Sequence, residues 1–114
     1  MDDCIFCRII KREIPATVYY ENDKVIVIQD IHPVAPVHVL IISKEHIPGI
    51  EQITPQNQDI LGEFAFAAQK MSKMMKISAT GYRLINNCGP DAGQSVPHLH
   101  FHMIGGRMLG LKII

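Results

Sequence analysis

His98-Leu99-His100-Phe101-His102-Met103-Ile104 alternates polar and apolar residues without interruption. A period of two is the mark of a strand with one covered face. Successive side chains of a strand point to opposite sides. The run therefore predicts a strand over 98–104 with three imidazoles on one face and Leu99, Phe101 and Met103 on the other. Gly105-Gly106 ends it.

The chain before this strand falls into six elements. Cys4 to Arg12 has Ile5, Phe6, Ile9 and Ile10 at helical spacing, and Pro15 stops that short helix. Thr17 to Glu21 and Lys24 to Asp30 read as strands joined by the turn Asn22-Asp23, which makes a hairpin. His32-Pro33-Val34-Ala35-Pro36 breaks the pairing, and Val37 to Ser43 is apolar enough for a central strand. Thr54-Pro55 offers a hydroxyl N-cap with proline at the first helical position. From there Ile60, Leu61, Phe64, Ala67, Ala68, Met71, Met74 and Met75 predict one long helix that ends before Thr80-Gly81. The methionines read as core or subunit-interface filler. Tyr82 to Asn87 is a fourth strand, followed by the loop Cys88–Ser95. The order αβββαββ with hairpin connections implies an α+β fold on a five-stranded antiparallel sheet, as one domain over residues 1–114.

Bulk properties narrow the function. The 114 residues carry 11 basic and 11 acidic side chains, a formal net charge of zero, and 47% of them are hydrophobic. This is the composition of a globular domain, and it argues against a nucleic-acid polymer as partner, because such binding runs on phosphate neutralisation. The apolar runs are too short to span a bilayer. The start, with Asp2 and Asp3, lacks a basic segment before an apolar one. With three cysteines and no such leader, the expected compartment is reducing, and the expected location cytoplasmic.

A row of imidazoles can hold a metal or attack a phosphoryl group. Neighbouring same-face residues of a strand stand about 6.7 Å apart at the backbone. Zinc holds nitrogen at about 2.0–2.1 Å, so two rings close on one ion readily and three do so only on a bent strand. The spacing favours an extended polar ligand. Gly89, Gly93 and Ser95 precede the histidines with backbone N–H groups and a hydroxyl suited to an anion, and Asn87 adds an amide. Imidazole is largely neutral near pH 7, as a nucleophile at phosphorus must be. Asp30 ends a strand beside the proline loop, where it is either a turn former or an acceptor for a diol. His38, inside an apolar strand, reads by itself as a satisfied core histidine. Cys4-x-x-Cys7 has two-ligand zinc spacing and lacks a second such pair. Two reduced cysteines packed as small apolar residues explain it equally. Cys88 reads as an inert thiol.

The motif His-x-His-x-His resembles the signature of the histidine triad (HIT) superfamily. Gly93-Gln94-Ser95-Val96, Gly105-Gly106-Arg107, Glu13-Ile14-Pro15, Asp30-Ile31 with Pro33, Ala35, Pro36 and His38, and Lys44-Glu45-His46-Ile47 extend the resemblance to its Hint branch along nearly the whole chain. The resemblance implies a homodimer with one ten-stranded sheet. It implies a hydrolase that cleaves purine nucleoside phosphoramidates or related nucleotide conjugates to the monophosphate, through a nucleotidyl-histidine intermediate. By position His100 matches the nucleophile, and His102 the residue that contacts phosphate and supports the leaving group. His98 and His38 match residues that hold the cluster. Asn87, Gly93 and Ser95 match phosphate or leaving-group contacts, Ser95 with a part in catalysis. Asp30 matches the acceptor for ribose hydroxyls, and Ile5, Phe6, Ile9, Ile28 and Ile31 the base pocket. Histidine in the third place, where the nucleotidyltransferase branch typically has glutamine, favours water as acceptor. Relatives that begin Cys-Ile-Phe-Cys resemble zinc binders, which implies a structural zinc on Cys4, Cys7, His46 and His98; catalysis itself would need no cofactor. The chain departs from the Hint pattern at His32, commonly serine, and in the tail Leu109-Gly110-Leu111-Lys112-Ile113-Ile114, which lacks a tryptophan-proline ending. A second reading of the same features is a nucleotide-binding or zinc-stabilised interaction module with negligible turnover.

Overall fold

In the computed structural model, which describes residues 3–111, the chain forms a five-stranded antiparallel sheet with one helix on each face. The elements are α1 (Ile5–Ile10), β1 (Val18–Glu21), β2 (Val25–Gln29), β3 (Val37–Ser43), α2 (Ile60–Met74), β4 (Tyr82–Ile85) and β5 (His100–Gly105), with 3₁₀ turns at Ile50–Gln52 and Pro90–Ala92. The strand order is β1-β2-β3-β5-β4. Asp2 and Lys112–Ile114 lie outside the described residues.

Both sheet faces are covered at the centre, so β2 and β3 are apolar on both sides. Val25, Val27, Val39, Ile41, Leu99 and Met103 meet Phe64, Ala67, Ala68 and Met71 of α2. On the other face Ile26, Ile28, Leu40 and Ile42 meet Phe6, Cys7 and Ile9 of α1. A six-residue helix cannot cover that whole face. Past its edge, where β3 lies beside β5, stand His38 and His100, still buried, and His102, which is partly exposed. Among the described residues no helix is long and apolar enough to cross a membrane.

Several boundaries differ from the sequence expectation: α1 is shorter at both ends, β4 ends at Ile85 rather than Asn87, and three further shifts have a visible local reason. The long helix starts at Ile60 rather than at Thr54-Pro55. Thr54 Oγ1 does accept from the Gln56 N–H, and Asn57 Oδ1 accepts from the Thr54 N–H. These bonds close tight turns instead, and the i→i+3 bonds of Asn57, Ile60 and Leu61 carry the chain to the helix. The helix stops at Met74 because Lys76 turns left-handed (φ 60°) and the Ile77 N–H reaches back to the Ser72 carbonyl, a glycine-free form of the usual C-terminal motif. The last strand begins at His100, two residues late. His98 sits in a bend, its N–H on the Val96 carbonyl, while Leu99 bridges to Ile47 and Ser43.

Candidate active site and metal centre

The β3–β5 register sets Leu40 opposite His102, Ile42 opposite His100 and His38 opposite Ile104. His38, His100 and His102 therefore share the face that α1 leaves partly open. The ring of His102 lies 5.5 Å from that of His100 and 5.2 Å from that of His38, centroid to centroid. Phe6 of α1 packs edge-on against His100 at 5.0 Å and His98 at 5.8 Å.

Hydrogen bonds assign the tautomers. His100 Nδ1 lies 2.7 Å from the His98 carbonyl oxygen. A carbonyl only accepts, so the proton sits on Nδ1 and the Nε2 lone pair is free. The Val34 N–H donates to His38 Nδ1 at 3.1 Å. That fixes the His38 proton on Nε2, which donates to His102 Nδ1 at 2.9 Å and lies 3.3 Å from Asp30 Oδ2. Neutral His102 therefore carries its proton on Nε2. Two adjacent rings thus present opposite characters, a bare nitrogen on His100 and an N–H on His102. Burial holds both imidazoles below their usual pKa, and for His102 the neighbouring His100 and His38 add to the effect while Asp30 opposes it. Burial also lowers His98.

His98 has turned away from this pair. It is fully buried, and its Nε2–H donates to the Ser43 carbonyl at 2.6 Å. Its Nδ1 lone pair faces Cys4 Sγ (3.2 Å), Cys7 Sγ (3.6 Å) and His46 Nδ1 (3.1 Å). Cys7 Sγ lies 3.1 Å from His46 Nδ1, and the four ligand atoms all fall within 4.8 Å of one another. Donors about 2.0–2.3 Å from a tetrahedral zinc stand roughly 3.3–3.8 Å apart. The set also has the right chemistry, two thiols and two imidazoles with one lone pair already aimed inward. Burial, a hydrogen bond with Cys4 and the charge of that sulfur raise the Cys7 thiol, which a divalent cation would reverse. Asp30, His38 and His102 form a second compact group. It suits a metal poorly, because the Val34 N–H keeps the proton on the His38 nitrogen that would have to ligate.

The remaining expectations divide. Phe6, Ile9 and Ile28 are buried against the sheet, whereas Ile5 and Ile31 stand 45% and 83% exposed. Asp30 Oδ1 accepts from the His32 N–H, so the carboxylate makes its turn and still offers Oδ2 to the site. The glycine amides are spent within their loop. Gly89 N–H donates to Gln94 Oε1, and Gly93 N–H closes the 3₁₀ turn on Pro90. Gln94 also donates to the Pro48 and Val96 carbonyls, tying this loop to the one that bears His46. Ser95 is exposed beside Cys4 and His46 in a small cavity. Asn87 makes no side-chain hydrogen bond among the described residues. The residue missed is its neighbour Asn86. Its Nδ2 donates to the His100 carbonyl at 2.8 Å, and its buried Oδ1 has no hydrogen-bond partner among the described residues. Two adjacent asparagines at a strand end were the only signal, and the end of β4 decides between them.

The HIT domain model matches residues 11–109. The chain belongs to the HIT domain family. It is 40% identical over 109 residues to the purine nucleoside phosphoramidase of Escherichia coli (strain K12), covering 96% of this chain and 92% of that one. It is 42% identical over 109 residues to a 14 kDa zinc-binding protein of Brassica juncea, covering 94% and 96%. A HIT family hydrolase from Clostridium thermocellum superposes with a TM-score of 0.97 at 53% identity, over 100% of this chain and 99% of that one. Cys4 and Cys7 add the Cys-x-x-Cys start to the HIT pattern here.

Proposed function

We propose that this HIT-family hydrolase cleaves purine nucleoside phosphoramidates, or related nucleotide conjugates, to the nucleoside monophosphate. The observation that carries the reading is the pairing of a bare Nε2 on His100 with an N–H on His102, on rings 5.5 Å apart. The relative named for purine nucleoside phosphoramidase activity supports the substrate class.

In the first step His100 Nε2 forms a bond to phosphorus and the phosphorus–amine bond breaks. Bound phosphate favours the protonated form of His102, which burial disfavours in the free enzyme. Asp30 Oδ2 then takes over the hydrogen bond from His38 Nε2. His102 passes its proton to the departing amine. In the second step water attacks phosphorus, His102 takes a proton from it, and His100 is released neutral. Asn86 holds the His100 backbone from the end of β4, Ser95 is assigned a phosphate or leaving-group contact, Asp30 serves the ribose hydroxyls, and Ile5 and Ile31 the purine.

Cys4, Cys7, His46 and His98 would hold a structural zinc that ties α1 to the sheet; the zinc-binding relative supports this. The same reading includes a cytoplasmic enzyme of one domain over 1–114. It also includes a homodimer that joins two sheets through β4, whose edge carries the exposed Leu84 while Phe66 stands exposed on α2.

Replacement of His100 tests the reaction. With an adenosine phosphoramidate, His100→Ala should lose turnover by several orders of magnitude and keep monophosphate binding. Near-native turnover in that variant would refute His100 as the nucleophile, and absence of monophosphate from the native protein would favour the binding-module alternative.

A further inference from the structure

The metal centre and the nucleophile share a residue. The His98 side chain is the innermost ligand of the Cys4–Cys7–His46 group, and its backbone carbonyl is the acceptor that keeps the His100 proton on Nδ1. In a regular strand that carbonyl would be set by the ladder. Here residues 96–99 precede β5 in a bend, and the His98 carbonyl accepts from a side chain. The Leu99 N–H of the same planar peptide unit donates to the Ile47 carbonyl at 2.6 Å, so the direction of the His98 carbonyl is held from both sides of the Cys/His group: through Ile47, next to His46, and through the His98 ring, by Ser43 at Nε2 and the Cys/His group at Nδ1. A second route runs through α1. Phe6 lies between the two cysteines in sequence, and its ring touches both His98 and His100 edge-on. Cys4 caps that helix, its sulfur accepting from the Cys7 N–H at 3.4 Å. Displacing either sulfur shifts the residue that packs against the nucleophile.

We propose that His98 is a positioning residue that couples occupancy of the Cys4–Cys7–His46–His98 centre to the tautomer and aim of His100, so that zinc governs turnover as well as the anchoring of α1. The coupling rests on the zinc reading above. A centre that only anchored the helix would leave kcat independent of the ion as long as the fold persisted. A coupled centre makes kcat follow the ion while the share of KM set by Asp30 and Ile31, which lie outside the Cys/His group, stays where it is.

The test uses the full-length native protein and zinc alone as the probe. Zinc content is measured first, then withdrawn by graded chelation with circular dichroism recorded throughout. Turnover of an adenosine phosphoramidate and the imidazole nitrogen resonances of His100 are followed in parallel. On zinc loss the folded protein should lose about three- to tenfold in kcat, the worth of one hydrogen bond, with KM changing less. The His100 Nδ1–H resonance should weaken through exchange with water. Added zinc should restore both. The variant His46→Cys, which keeps four ligands, should retain the ion, the resonance and kcat, whereas His46→Ala should behave as the chelated protein. Unchanged kcat and an unchanged Nδ1–H resonance after zinc withdrawal would overturn the coupling and leave the zinc reading intact. Protein that takes up no zinc would overturn both. Loss of the resonance only together with global unfolding would reduce the centre to an anchor and overturn the coupling.

Discussion

Exchange of His102 for glutamine separates the two chemical steps. Glutamine keeps much of the geometry. Its carbonyl can accept from His38 Nε2, now 2.9 Å from His102 Nδ1, and its amide can still donate toward phosphate. It cannot gain or lose a proton near neutral pH. The side chain of His102 is 25% exposed, so the exchange leaves no buried orphan and little stability should be lost. Acid–base help of this kind contributes about 10²–10⁴ in rate, or roughly 3–5 kcal/mol. In the amine step the retained amide donor still supplies electrostatic help, and the basic leaving nitrogen takes its proton from water. The water step has no substitute base among the rings, because His100 is then bonded to phosphorus and the His38 proton is fixed by Val34. Hydrolysis should therefore slow more than amine release. Rapid mixing with an adenosine phosphoramidate should give a burst of about one amine per site, followed by turnover at least 100-fold below native. Intact-mass measurement on quenched samples should show a nucleotidyl adduct on the protein, mapped to His100. Linear amine release with no adduct, or a native steady-state rate, would refute the assignment of the water step to His102.

Two further outcomes follow from burial. Because the His102 pKa is lowered on folding, the unfolded chain binds more protons as the pH drops. Its contribution to stability is complete above the unfolded value of about 6.5 and is lost as pH falls through the depressed native value. The melting temperature of the native protein should fall on acidification below that point, and the stability of His102→Gln should depend less steeply on pH, by up to about 1.4 kcal/mol per pH unit; parallel curves would contradict the shift. At the far end of β5, a Cβ on Gly105 would meet Ile77 Cδ1 at 2.9 Å, the Gly81 carbonyl oxygen at 3.2 Å and Tyr82 Cβ at 3.3 Å. Gly105→Ala should cost about 1–3 kcal/mol in chemical denaturation with kcat and KM near native, and an undiminished midpoint would show that β4 yields freely.

The alternation at 98–104 and the helical spacing at 60–75 were enough to determine an antiparallel sheet with a long helix, since periods of two and of 3.6 survive in any context that buries one face. The same alternation put His100 and His102 side by side. The histidine motif and its flanking residues carried the family resemblance. What the sequence left open was settled by contacts between distant segments. The choice between two packed cysteines and a metal set depended on bringing Cys4 and Cys7 to His46 and His98, and these pairs lie far apart along the chain. His38 changed from a core histidine to the donor that sets the His102 tautomer only when β3 paired with β5. His98 left the row it shares in sequence because the chain bends before β5, and a bend stabilised by Ile47 and Ser43 has no local signature. Period and composition act along the chain and are written in it; proton positions and ligand sets depend on which distant atoms meet, and only the folded sheet decides that.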